Sequence, residues 1–149
     1  LKKLNYQNKL RNDYFNFIKK NIKSTFLKVR DTRTFEYGVY YAVLIEIIAP
    51  IKNLKKRIES LRKLNLPIRK TWEPLHKHPH FNPSIKPARG LPWKSINYKG
   101  AMKNKKYKNL KFKNTEYYCP NRLMELYIHP PINSSSLKKA CDLINHTFS

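Results

Sequence analysis

Glycine is nearly absent, with three in 149 residues. A phosphate-cradling loop needs several positions free of a Cβ where backbone approaches the anion, so no glycine-rich nucleotide loop can be built here. The two cysteines, Cys119 and Cys141, are too few for a disulfide framework, and reduced thiols packed inside a cytoplasmic protein are the expectation. Acidic residues number nine against 32 basic ones. The longest apolar run, Val39 to Ile45, ends at Glu46, far short of the roughly 20 residues a membrane helix needs. No nucleophile–base pair, Cys-x-x-Cys or His-Glu-x-x-His pattern occurs, and no repeat is visible. The chain opens on Leu1 inside a helical pattern, without Met, so it is expected to be part of a longer one.

What is present argues for a folded chain. A hydrophobic fraction of 40% with 13% aromatics supports a core despite a net charge of +23. The expectation is a single domain over residues 1–149, with residues 84–113 as a basic, loop-rich insert. The basic residues are 24 Lys and 8 Arg, beside 15 Asn, 13 Ile and 10 Tyr. These residues share A/T-rich codons, so a base-composition bias produces such a profile without selection for a polyanionic partner. Spatial clustering of the charge is the observation that would separate the two accounts.

Leu4, Leu10, Tyr14, Phe17, Ile18 and Ile22 recur at helical spacing and predict a helix over residues 2–21. Ser24–Arg30 reads as a weak strand. Gly38–Ile48 reads as a central strand covered on both faces, because both alternating sets are apolar. Asn53 is the expected cap of a helix whose Leu54, Ile58, Leu61 and Leu64 form one stripe, and Asn65 a left-handed terminator. A strand over 67–72 follows. Prolines and glycines punctuate residues 83–113, with Trp93 and Tyr98 as expected anchors and a lysine run from Lys99 to Lys113. A short helix over 116–124, a strand over 126–129 and a terminal helix capped at Asn133 or Ser134 complete the chain. Leu137, Ala140, Cys141, Ile144 and Phe148 share the last helix's apolar face. The strand–helix–strand order makes the class α/β or α+β, with a short, mostly antiparallel sheet packed by three to four helices.

Chemistry concentrates between Leu66 and Pro83. Prolines fix φ and push their predecessors towards extended backbone, so Trp72–Pro83 reads as a stiff loop presenting His76, His78 and His80 at the end of a strand. Metal binding is not expected, because no complete zinc ligand pattern accompanies these histidines. A histidine offered to a ligand for hydrogen bonding or proton transfer suits an imidazole near neutral pH. Arg69 can fork onto a carboxylate or phosphate, and Trp72 anchors the loop or supplies a platform. The Lys99–Lys113 run, interleaved with Tyr107 and Phe112, suits a phosphate backbone with rings stacking on bases.

The segment Leu66-Pro67-Ile68-Arg69 followed by Trp72-Glu73-Pro74-Leu75-His76-Lys77-His78-Pro79-His80-Phe81 resembles the C-terminal region of the DegT/DnrJ/StrS aminotransferases. In that family a helix leads into a G-I-x-T/V-R strand and a W/Y-x-P-L-H-x-x-P-x-F loop. Leu91-Pro92-Trp93, Leu126-Tyr127-Ile128-His129-Pro130-Pro131 and Ser134–Phe148 resemble the family's insert, its late strand and its closing helix. The resemblance implies the small domain of a fold-type-I aminotransferase, packed on a larger domain that binds pyridoxal phosphate and supplies the Schiff-base lysine. It implies transfer of an amino group from glutamate or glutamine to a keto-sugar, often nucleotide-linked, or to a cyclitol. It further implies a cytoplasmic homodimer working in amino-sugar or cell-surface polysaccharide synthesis. By this resemblance His76 points into the substrate site, with Arg69, Trp72 and His78 beside it, while this chain binds no cofactor and is inactive alone. Leu66-Pro67 departs from the family's Gly-Ile, Ser134-Ser135-Ser136 from its acidic helix start, and the positive charge is atypical. The rival expectation is a basic nucleic-acid- or ribosome-associated protein.

Overall fold

A computed structural model describes residues 2–31, 38–78, 96–97, 110–119 and 121–149. The chain divides into two compact units. One comprises Leu1–Thr71 with Asn121–Ser149, and the other Trp72–Pro120.

The first unit is α+β. Helix α1 (Leu4–Asn21) precedes strands β1 (Leu27–Val29) and β2 (Ala42–Ile47). Helix α2 (Leu54–Lys63) leads to β3 (Ile68–Lys70), and β4 (Leu123–Tyr127) and α4 (Ser134–Thr147) close the unit. The strands form one sheet in the order β1-β2-β4-β3, antiparallel at every pairing. Strands β2 and β3 run parallel with α2 as their crossover. The slot between them is filled by β4, which pairs Val43 with Leu126 on one side and Ile68 with the same Leu126 on the other.

One face of the sheet carries the core. Leu27, Val43, Ile45, Ile47, Ile68, Met124 and Leu126 pack against Tyr14, Phe15 and Ile18 of α1, Ile58 and Leu61 of α2, and Leu137, Cys141 and Ile144 of α4. Each fully buried aliphatic side chain here contributes about 1.5–3 kcal/mol. Burial, with Asp142 adding to it, pushes the Cys141 thiol up to about 11, so this cysteine is a packing residue.

The other face corrects one expectation. Strand β2 is central in hydrogen-bond order, but it is not covered on both sides. Leu44 is 40% exposed, and Glu46 between the apolar positions pairs with Arg30 at 3.1 Å. An antiparallel sheet tolerates such a half-covered strand.

The helix ends show which local signals dominated. Asn53 does not cap α2 through its side chain; it enters the helix with φ 56°. Asn65 adopts φ 61° after α2, while its N–H donates to Arg62 O (2.9 Å) and that of Leu66 to Leu61 O (3.1 Å). This paired closure is a Schellman turn. It swings Leu66 into the core and leaves Leu64, expected on the apolar stripe, 57% exposed. The left-handed residue is thus Asn65, and nothing at position 66 requires a glycine. Asn133 caps α4, its Oδ1 accepting from Ser136 N at 2.8 Å. Asn145 ties α4 to the end of α1, accepting from Lys23 N (2.7 Å) and donating to Asn21 O (2.8 Å).

In the second unit a 3-10 turn (Leu75–Lys77) and helix α3 (Lys113–Tyr118) are described. The expected helix over 116–124 is therefore shorter and earlier, because Leu123 and Met124 belong to β4. His80, Trp93, Tyr98 and the lysine run up to Lys108 lie outside the described residues.

Asn65→Gly is expected to leave stability unchanged or slightly raised, and Asn65→Ala to cost about 1 kcal/mol. Urea denaturation of the two variants checks this, and a larger loss for glycine than for alanine would contradict the turn assignment.

Candidate functional site

Two constellations of polar side chains stand out, one in each unit. In the second unit Pro74, at φ −52° and ψ 126°, delivers the chain into the 3-10 turn, closed by Lys77 N–H on Pro74 O (2.8 Å) and His78 N–H on Leu75 O (3.0 Å). The tight turn points neighbouring side chains in different directions. Leu75 is exposed, whereas His76 is only 9% exposed. Its Nε2 lies 3.0 Å from Glu116 Oε1 on α3, and its ring lies 4.8 Å from that of Phe112. Lys77 Nζ approaches the same Glu116 oxygen at 3.4 Å. The His76 hydrogen bond, aided by Lys77 and opposed by desolvation, holds the Glu116 carboxyl below the usual carboxylate range. Donation from Nε2–H to Glu116 leaves Nδ1 as the acceptor of the neutral ring. A carboxylate that fixes an imidazole's orientation and tautomer is a recurring arrangement for acid–base work and for binding polar ligands.

In the first unit, the sheet face opposite the helices centres on Glu125 in β4, which is buried. Its Oε2 accepts from Arg69 Nε (2.9 Å) and Tyr127 Oη (2.9 Å), and its Oε1 from Thr71 Oγ1 (2.8 Å). A second Arg69 nitrogen reaches Oε2 at 2.8 Å. Burial by itself would raise the carboxyl's pKa, but the Thr71, Arg69 and Tyr127 hydrogen bonds outweigh it and set the group below the usual range. Burial and the same carboxylate raise the Tyr127 phenol. The guanidinium lies 5.1 Å from the centre of the Tyr127 ring, which also meets Tyr41 edge-on at 5.3 Å and His129 nearly parallel at 6.0 Å. The result is a saturated ion pair beside an aromatic surface.

The expected site residues divide between these places. Arg69 lies in β3 of the first unit, engaged with Glu125. Trp72, 64% exposed, His76, buried, and His78, half-buried, belong to the second unit. Glu116, Glu125, Thr71 and Tyr127 do not figure among the expected site residues, and Phe112, expected to stack on a base, lies beside the His76 ring. Glu125 carried a readable signal, an acid at the centre of the alternating run Leu123–Tyr127, but it fell in the gap between an expected helix and an expected strand. Glu116 had none, since its partner lies forty positions away. Among the described residues no three His, Cys, Asp or Glu side chains gather into a metal-sized set.

The described residues do not fit pyridoxal phosphate. A Schiff-base lysine needs a desolvated amine, yet every described lysine is exposed except the half-buried Lys70, whose Nζ contacts Asn121 Oδ1 at 3.1 Å. Compared with protein-family models and with curated proteins, the chain matches none.

The Glu125 carboxyl is held below its unfolded range, near 4.5, so its network stabilises the fold above that range, and the stability is lost as pH falls through the lowered folded value. Denaturation midpoints measured from neutral to acidic pH should fall in that acid window. In Glu125→Gln the midpoint should be lower at neutral pH and the acid slope shallower, whereas an unchanged slope would show that other groups cause it.

Proposed function

We propose that this chain is the small domain of a pyridoxal-phosphate-dependent aminotransferase of the DegT/DnrJ/StrS kind. In this reading it closes over a keto-sugar, often nucleotide-linked, or a cyclitol that receives an amino group from glutamate or glutamine. The observation that carries the proposal is the Pro74-Leu75-His76 turn. The motif on which the resemblance rests forms a rigid 3-10 turn that tucks His76 against Glu116, rather than an extended, solvated loop. An imidazole so oriented suits a residue that aligns a sugar hydroxyl or the donor's carboxylate.

Two further features support it. Helix, two strands, crossover helix, edge strand, the Pro-Leu-His turn, short helix, strand and closing helix follow one another in the order the motifs imply. The uncovered sheet face offers Tyr41, Leu44 and the Arg69–Glu125–Tyr127 cluster, a mixed apolar and polar surface suited to a larger cofactor-binding domain. That domain would hold the cofactor and the Schiff-base lysine, and the enzyme would work as a homodimer in the cytoplasm. Within this reading His76 orients substrate with Trp72 and His78 close by in sequence, while Arg69 shapes the platform through Glu125 and Tyr127.

The test is made on the protein joined to its cofactor domain. His76→Ala should lower turnover by on the order of 100-fold while the bound cofactor's absorbance spectrum stays unchanged. Glu116→Gln should give a smaller loss. A His76→Ala protein that releases its cofactor, or one that turns over normally, would defeat the assignment.

A further inference from the structure

Charge is distributed unequally over the first unit. On the uncovered sheet face the carboxylates are matched by cations, Glu46 by Arg30 at 3.1 Å and Glu125 by Arg69 at 2.8 Å. The helical layer differs. Residues 2–23 carry seven Lys and Arg with Asp13 as their one acid, residues 52–63 carry six with Glu59, and α4 carries two with Asp142. Helices α1 and α2 each pack against α4, and all three bury their apolar stripes on the same sheet face. Their outward sides are therefore one basic surface.

That surface is weakly compensated. Lys19 pairs with Asp31, and Lys55 lies 4.0 Å from Glu59. Among the described residues no ion pair includes Lys9, Lys20, Lys56, Arg62, Lys63 or Lys138, all of them exposed. The helix ends reinforce the potential. None of the three helices has an acidic residue in its first turn, and in α2 Lys55 and Lys56 follow Leu54 there. The N-terminal end of a helix carries a partial positive charge, so cations there add potential of the same sign.

We propose that this three-helix face binds the phosphate backbone of a nucleic-acid duplex without reading its sequence. The inference is independent of the aminotransferase reading. Lysine is a flexible point charge suited to phosphates, and backbone neutralisation with counterion release needs only clustered cations. Helix α1 alone extends about 27 Å, the rise of roughly eight base pairs of duplex. A duplex is favoured over a single strand because the exposed layer is poor in stacking rings. An anionic membrane is disfavoured because large apolar side chains on it are few. The site differs from the Lys99–Lys113 run that the sequence singles out.

The test uses the 149-residue chain and a labelled mixed-sequence DNA duplex, read by fluorescence anisotropy. Binding should weaken about 100-fold between about 50 and about 200 mM salt, the slope that roughly four phosphate contacts give. The variant Lys20→Glu/Lys56→Glu/Lys138→Glu changes one exposed lysine on each helix and should lose at least about tenfold. Lys56→Glu alone should lose about threefold or more, while the control Lys28→Glu, in β1, makes the same change in net charge away from the helices and should stay within about 1.5-fold, with circular dichroism checking the folds. Equal losses in Lys56→Glu and Lys28→Glu would show a net-charge effect and overturn the proposal. So would a larger loss in the control, absence of duplex binding at the lower salt, or capture by phosphatidylserine vesicles with none by the duplex.

Discussion

The pairing of β4 between β2 and β3 is the constraint on which the first unit depends. Without it, β2 and β3 are two parallel strands separated by a strand's width, and the edges they turn towards each other have no partner. The strand that fills the slot comes from the far end of the chain, so residues after Asn121 complete a sheet begun before Thr71. Met124 and Leu126 seal the core between Ile45, Val43 and Ile68, and on the opposite side of the same strand Glu125 gathers Arg69 and Thr71. One five-residue strand thus joins the core to the polar face.

Both polar constellations follow one principle. A carboxylate taken from water needs donors in its place, and each acid has them. Glu125 is saturated by Arg69, Thr71 and Tyr127, which makes it a fixed scaffold rather than a reactive group. Glu116 is shared between His76 and Lys77 and is more open to solvent, so its imidazole partner keeps a nitrogen for other work. The contrast separates the group that holds the sheet face together from the pair suited to touching a ligand.

Much of the α+β architecture was legible because it rests on local pattern. The stripes of α1 and α4, the Asn133 cap and the left-handed Asn65 all follow from spacing or backbone preference. Phe15 was missed in favour of Leu4 because the stripe was extended too far towards the start. In the structure Phe15 is buried and stacks on the Tyr40 ring at 3.7 Å, while Leu4 is exposed. Leu64 was misassigned because helical periodicity says nothing about where a Schellman turn stops it. The His76–Glu116 and Arg69–Glu125 pairs join residues far apart in sequence, and only tertiary structure brings them together. The Pro-Leu-His motif drew attention to His76, but its partner Glu116 could not be read from the sequence.

The two points where the chain leaves and re-enters the sheet lie side by side. Thr71 N–H bonds Leu123 O at 3.0 Å, and Lys70 Nζ reaches Asn121 Oδ1 at 3.1 Å. Residues 72–120 are therefore the connection between two antiparallel neighbours, β3 and β4. The entropy of closing such a connection grows only with the logarithm of its length. Segments there can lengthen, shrink or be exchanged across generations at little cost to the strands beneath. The connection can therefore diverge in length and sequence while the four-stranded scaffold stays fixed.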